Sequence, residues 1–187
     1  MAQRGAYAKG IAKREEILTT ALDVIATHGY RGASVREIAD AVGLSQAGLL
    51  HYFGSKDELF TAVLRKRDEV DTVAYQDDPL DGLLRVVAHN ATVPGLVRLY
   101  TQLSAEAADP DHPAHTYFAE RFRRLTEASA EALRRGQEDG AIRADLDPDR
   151  AAAALIAAAD GLQTQWLLDP SADMASSLGA LVDALRA

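Results

Sequence analysis

Cysteine is absent from this 187-residue chain. That excludes disulfides and thiolate metal sites, and it accords with a cytoplasmic protein. Hydrophobic residues make up 48% of the chain but never gather into a run of about 18, so no membrane span is expected. The N-terminus is polar and basic and lacks the apolar h-region of a secretory signal. No strand-like alternation of useful length, internal repeat or low-complexity linker is present. Also missing are a glycine-rich phosphate loop, a nucleophile elbow and a paired-carboxylate signature, so neither catalysis nor a cofactor is expected.

Net positive charge is lacking too, with a formal charge of −8, but its distribution is uneven. Residues 1–56 carry seven Lys/Arg and five Asp/Glu, a net of +2, whereas residues 57–187 carry 13 and 23, a net of −10. Arg4, Lys9, Lys13 and Arg14 precede the first acidic residue. Such a basic arm is suited to following a phosphate backbone, while an acidic body would repel phosphate and enforce one docking face.

What the chain does hold is concentrated between Ser34 and Phe60. Ser34-Val35-Arg36-Glu37 has the pattern of a capping box, in which serine oxygen and glutamate satisfy orphan backbone donors. Val35, Ile38, Ala39 and Val42 follow at helical spacing, and Gly43 stands where a left-handed stop is needed. Leu44 fills the corner, and Ser45 caps a further helix, Gln46 to Phe53. A second capping box, Ser55-Lys56-Asp57-Glu58, opens a longer helix with Leu59, Phe60, Val63 and Leu64 on one side. Upstream, Ile11, Ile17, Leu18, Ala21, Leu22 and Ile25 give residues 10–28 a helical apolar face that ends at His28-Gly29. Two short helices joined by a glycine turn, buttressed by a third, form the unit that places a recognition helix in the DNA major groove.

A helix advances about 100° per residue, so Leu49 and Phe53 share an inward face, while Ala47, Gly48, His51 and Tyr52 occupy the opposite arc. Gln46 stands at the N-terminal tip, where such helices reach base edges. Its amide can bond adenine N6 and N7, and the Ala47 methyl can rest on a thymine methyl. His51 and Tyr52 suit phosphate oxygens. Gly48 costs roughly 1 kcal/mol in mid-helix; either close approach to DNA or a crowded helix crossing would account for it. Lys56 at a helix N-terminus opposes the dipole, which fits either a compensating phosphate or an ordinary solvated lysine.

With Gly29-Tyr30, Ser34 to Gly43 and Gln46 to Lys56 in view, the chain resembles the TetR family of transcriptional regulators over residues 10–60. The resemblance implies an all-α homodimer of about nine helices, with a three-helix DNA-binding domain at 1–56. It also implies a larger helical dimerisation and effector domain at 57–187. It further places Ser34, Arg36, Ser45, Gln46, Ala47, Gly48, His51, Tyr52 and Lys56 at positions that face double-stranded DNA. One departure is Leu50, where the family often carries tyrosine; either His51 or Tyr52 takes over its phosphate contact or the contact is absent. The function implied is a repressor that binds a pseudo-palindromic operator and is released by a small-molecule effector. An all-helical carrier or enzyme with a vestigial helix-turn-helix is the alternative.

Breaks at Asp77-Asp78-Pro79, Val93-Pro94, Asp109 to Pro113, Gly140, Asp147-Pro148 and Asp169-Pro170 delimit helices near 80–92, 94–107, 113–138, 148–168 and 171–186. The last two are expected to form the dimer surface. The small-residue run at 151–159, with Ala151, Leu155, Ala159 and Leu162, and the stripe Met174, Leu178, Leu181, Val182 and Leu185 are more apolar surface than one monomer's core is expected to absorb. Leu83, Val87, Asn90, Tyr100, Leu103, Tyr117, Phe118, Phe122, Gln163 and Trp166 are the candidate effector lining, mostly apolar with a few orienting polar groups, although simple core packing is the favoured role for each aromatic among them. His112-Pro113-Ala114-His115 beside Asp109 and Asp111 has ligand-like spacing but fits a proline-initiated helix start equally well, so no metal is expected.

Overall fold

The structure is a computed structural model. It describes residues 2–32, 35–74 and 79–187, and side chains over 9–27, 35–72 and 79–187. Ser34 lies outside the described residues, as does the serine half of the first capping box. Nine helices are present among the described residues: α1 (Ala2–Gly32), α2 (Val35–Ala41), α3 (Gln46–His51), α4 (Lys56–Ala74), α5 (Pro79–Asn90), α6 (Pro94–Glu106), α7 (His115–Glu138), α8 (Pro148–Leu168) and α9 (Met174–Asp183). The expected all-α architecture is therefore the observed one. Helix α1 runs on through Gly29, where the sequence suggested a stop.

Local chemistry sets most of the boundaries. Asp147 caps α8 by accepting the N–H groups of Asp149 and Arg150, with Pro148 at the first helical position. Asp173 does the same for α9 through Ser176. Pro94 opens α6. Leu185 and Ala141 accept from Arg143 and Ala187, so the C-terminal residues close over the loop between α7 and α8.

The principal core crosses the expected domain division. Ile17, Leu18, Ala21 and Ile25 of α1 pack in one apolar cluster with Ile38 and Leu49, with Leu59, Phe60 and Val63 of α4, and with Leu99, Leu103 and Phe118 of the body. Residue 56 is thus the first residue of a helix whose inner face belongs to both parts. A second cluster joins Val87, Val97, Leu155, Ala159, Trp166, Met174, Leu178 and Val182.

That second cluster corrects the expected dimer surface. Leu155, Ala159, Met174, Leu178 and Val182 are buried inside the subunit, and Leu162 and Leu185 pack against them. Ala151 packs against a third small cluster around Leu133 and Ile142. The monomer absorbs both stripes because α9 lies on α5 as well as on α8, so each stripe has an intrachain partner. Of the residues assigned to the interface, only Leu181, at 46%, is an exposed large hydrophobic; Leu168, not among them, is 83% exposed. The outward faces of the two helices carry Ala153, Ala157 and Gly161, and Ser177, Ala180 and Leu181.

Candidate DNA-binding surface and interior cavity

The turn between α2 and α3 is built by backbone geometry. Gly43 has φ +69°, in the left-handed region, where an L-side chain costs about 1–2 kcal/mol. Its N–H donates to Asp40 O at 3.2 Å, and that of Leu44 donates to Ala39 O at 2.8 Å, a Schellman closure that satisfies the last carbonyls of α2. Ser45 then caps α3, its Oγ accepting from the Gly48 N–H at 3.0 Å. After α3 the chain turns at Gly54, and Ser55 Oγ accepts from Glu58 N–H at 3.1 Å to start α4.

This frame fixes which side of α3 faces out. Leu49 is fully buried and Phe53 nearly so, both in the principal core. Ser45, Gln46, Ala47 and His51 are exposed, and Gly48 and Tyr52 half-buried. A Cβ on Gly48 would meet only Ser45 Oγ and Leu44 Cβ, so a crowded helix crossing does not explain the glycine. Arg36 is exposed on α2 and pairs with Asp40 at 3.7 Å. Lys56 is exposed at the start of α4, its Nζ 5.5 Å from the Phe60 ring centre.

Two residues of the expected basic arm are instead fasteners. Lys13 Nζ donates to Val42 O at 3.0 Å, beside the α2 C-terminus. Arg14 Nη1 donates to Tyr52 O at 2.8 Å, and its guanidinium stacks 4.3 Å from the centre of the Phe53 ring. Each cation sits at the negative end of a helix dipole, so α1 holds both short helices by their C-termini. The signal for this was weak: two basic residues at one turn of an otherwise amphipathic helix.

Behind the reading head, α4, α5, α7 and α8 line a cavity of about 320 Å³ that opens to solvent past Arg124 and Ala128, with Asp68, Asp71, Pro79, Leu83, Val86, Leu125 and Ile156 among its walls. A small inner void of about 30 Å³ shares Leu83, Val86, Leu125, Ile156 and Arg121 with it and reaches Val87, Asn90, Tyr100 and Gln163. Five expected effector residues (Leu83, Val87, Asn90, Tyr100 and Gln163) therefore face these spaces. Tyr117 lines an open cleft beside α4. Leu103 and Phe118 are buried in the principal core with Phe122 packed on it, and Trp166 is buried in the second cluster, so these four are packing residues.

A polar chain, not anticipated, runs through the cavity floor. Arg67 donates to Asn90 Oδ1 through a short hydrogen bond. Asn90 Nδ2 donates to Gln163 Oε1 at 3.0 Å, and Gln163 Nε2 to Asp160 Oδ1 at 3.3 Å. Tyr100 donates to the Asp160 carboxylate at 3.0 Å and accepts from Arg121 Nη1 at 3.0 Å. Arg121 Nε and the Tyr117 hydroxyl both donate to Asp68. Burial holds the Tyr100 and Tyr117 hydroxyls well above the ordinary phenol value, so both stay protonated donors. Burial also raises the Asp71 and Asp160 carboxyls, opposed most by Arg67 and Arg121 respectively.

His112 and His115 are engaged locally. His112 Nδ1 accepts the Ala114 N–H and His115 Nδ1 lies 2.9 Å from Ala107 O. Among the described residues there is no group of three or more potential metal ligands and no helix long and apolar enough to cross a membrane.

Comparison with known proteins decides what this arrangement is. The family model for bacterial regulatory proteins of the tetR family matches residues 17–63, and that for the BetI-type transcriptional repressor C-terminal domain matches 83–186. The chain belongs to the TetR family. It is 30% identical over 155 residues to the HTH-type transcriptional repressor KstR2 of Rhodococcus jostii, covering 74% of this chain and 72% of that protein. AcnR of Corynebacterium diphtheriae, also a transcriptional repressor, is 29% identical over 138 residues, 73% of this chain and 72% of that one. A Saccharomonospora viridis transcriptional regulator solved in complex with choline superposes with a TM-score of 0.71 at 26% identity, over 92% of this chain and 96% of that one. This TetR-family chain is thus a DNA-binding transcriptional regulator, and its relatives KstR2 and AcnR are repressors.

Proposed function

We propose that this TetR-family chain represses transcription as a cytoplasmic homodimer on a pseudo-palindromic operator, without catalytic activity, and is released when a small molecule enters the interior cavity. One observation carries the DNA reading: α3 buries Leu49 and Phe53 and turns Gln46, Ala47, Gly48 and His51 to solvent. Gln46 reads an adenine edge, the Ala47 methyl packs on thymine, and bare Gly48 lets the backbone approach. Arg36, Ser45, His51, Tyr52 and Lys56 hold phosphates and set register. Ser34 is assigned to the same phosphate-facing set from the family pattern.

Two such helices must enter successive major grooves about 34–36 Å apart. The outward faces of α8 and α9, with Ala153, Ala157, Gly161, Leu168 and Leu181, are the self-complementary surface that joins two copies. Helix α4 carries Arg67, Asp68 and Asp71 at the cavity and begins just after α3 and Gly54, so displacement of α4 changes the distance between the two reading heads. Coupling of about 1–3 kcal/mol, roughly 5- to 150-fold in affinity, is typical of such switches. The test is fluorescence anisotropy on the DNA upstream of its own gene: Gln46→Ala and Tyr52→Ala should each weaken binding, and unchanged affinity in both would overturn the assigned surface.

A further inference from the structure

The cavity beside α4 has an apolar wall and a polar end that is short of positive charge. Leu83, Val86, Leu125, Ala128 and Ile156 form the wall, and the volume of about 320 Å³ lies at the small end for a ligand site. At the polar end, Asp68 is saturated by the Tyr117 hydroxyl and Arg121 Nε, with Arg124 Nη2 at 3.5 Å. Asp71 is not. Its side chain is only 15% exposed, its nearest cation is Arg67 Nε at 3.6 Å, and no described residue donates a hydrogen bond to it. Arg67 meanwhile donates to Asn90. The buried groups of the cavity and of the small void beneath it are three carboxylates (Asp68, Asp71 and, in the void, Asp160) and two guanidiniums (Arg121 and, in the void, Arg67); Arg124 also lines the cavity but is 58% exposed, so solvent screens its charge. Burial raises the Asp71 carboxyl, with Arg67, His89 and Arg121 opposing and Asp68 reinforcing.

We infer that the cavity takes a small hydrophobic monocation, an alkyl- or arylammonium whose N–H group donates to Asp71 while its apolar body lies along Leu83, Val86, Leu125 and Ile156. This rests on the effector reading above and adds the chemical class. A carboxylate ligand would meet Asp71 across the cavity, and the guanidiniums that could offset the repulsion, Arg121 and Arg124, are already engaged by Asp68. An alcohol would supply the hydrogen bond but leave the charge excess in place. An ammonium supplies both. It also competes with Arg67 for Asp71; because those two share α4, the preference for a shifted α4 comes from the ligand's simultaneous contact with Leu83 and Val86 of α5, Leu125 of α7 and Ile156 of α8 across the cavity.

Isothermal titration calorimetry of the full chain with n-octylammonium, octanol and octanoate tests the inference. Octylammonium should bind at least tenfold more tightly than either analogue. Asp71→Asn should erase that preference, and Ala128→Trp, which narrows the apolar wall without removing a charge, should weaken octylammonium at least tenfold. Circular dichroism checks that each variant keeps the parental helicity, and either variant alone carries the test if the other does not fold. Octanoate or octanol binding as tightly as the amine, no octylammonium binding at millimolar concentration, or a preference that persists in Asp71→Asn would each overturn it. Selective amine capture with unchanged DNA affinity supports the site and overturns only the release step.

Discussion

Arg14 offers a quantitative test of how the reading head is held. It donates to Tyr52 O at 2.8 Å and stacks on Phe53 at 4.3 Å, yet it sits on α1, behind the outward arc of α3. A hydrogen bond to a charged group contributes about 1.5–3 kcal/mol, and a cation–π contact about 0.5–2 kcal/mol. The two overlap in one side chain that is half-buried, so Arg14→Ala should loosen the α3 C-terminus by about 2 kcal/mol. If DNA binding must restore that order, affinity falls by about 30-fold, since about 1.4 kcal/mol is tenfold. Anisotropy titrations at several salt concentrations separate this from a lost phosphate contact. A lost phosphate contact would make the slope of log K against log salt shallower by roughly one. A positioning residue leaves the slope unchanged, and that is the expected outcome. An unchanged affinity, or a slope shallower by one, would refute the reasoning.

The burial pattern separates core from interface: Leu178→Ala, at a fully buried position, should cost about 2–5 kcal/mol of stability in urea unfolding. Leu168→Glu combined with Leu181→Glu should leave secondary structure intact but shift the assembly toward monomer in analytical ultracentrifugation. The raised Asp160 carboxyl means that the folded chain holds that proton more tightly than the unfolded chain. Its contribution to stability therefore falls as pH rises from the ordinary carboxylate value, about 4, through the raised one. Asp160→Asn should show a smaller decline over that window in denaturant titrations at a series of pH values.

The parts legible in the sequence were those fixed by neighbouring residues. The Gly43 turn, the Ser45 and Ser55 caps, and the Asp147-Pro148 entry of α8 each depend on a few adjacent side chains, and all form as their patterns suggest. The Leu49/Phe53 face followed from helical period alone. What periodicity does not encode is which surface covers an apolar stripe. Met174, Leu178 and Val182 have the spacing of an interface, but α5 lies on them and makes them core. The small outward face of Ala153 and Ala157 lies in the alanine run at 151–159, with Gly161 just beyond it. Charged residues misled in the opposite sense. Arg67 and Asp68 lie in a stretch that resembles a solvated helix face, and their burial depends on Asn90, Tyr117 and Arg121, 23 to 53 positions away. Lys13 and Arg14 resemble a free arm for the same reason, because the carbonyls they serve belong to α2 and to the end of α3.

Selection of binding sites from random duplex DNA, run in parallel on the parent chain and on Gln46→Ala, bears most directly on whether the solvent-facing arc of α3 reads bases. The account predicts a pseudo-palindromic motif for the parent and, for the variant, the same motif with discrimination lost at one adenine-containing position in each half-site. Identical motifs with equal preference at every position, or no motif from the parent at all, would contradict it.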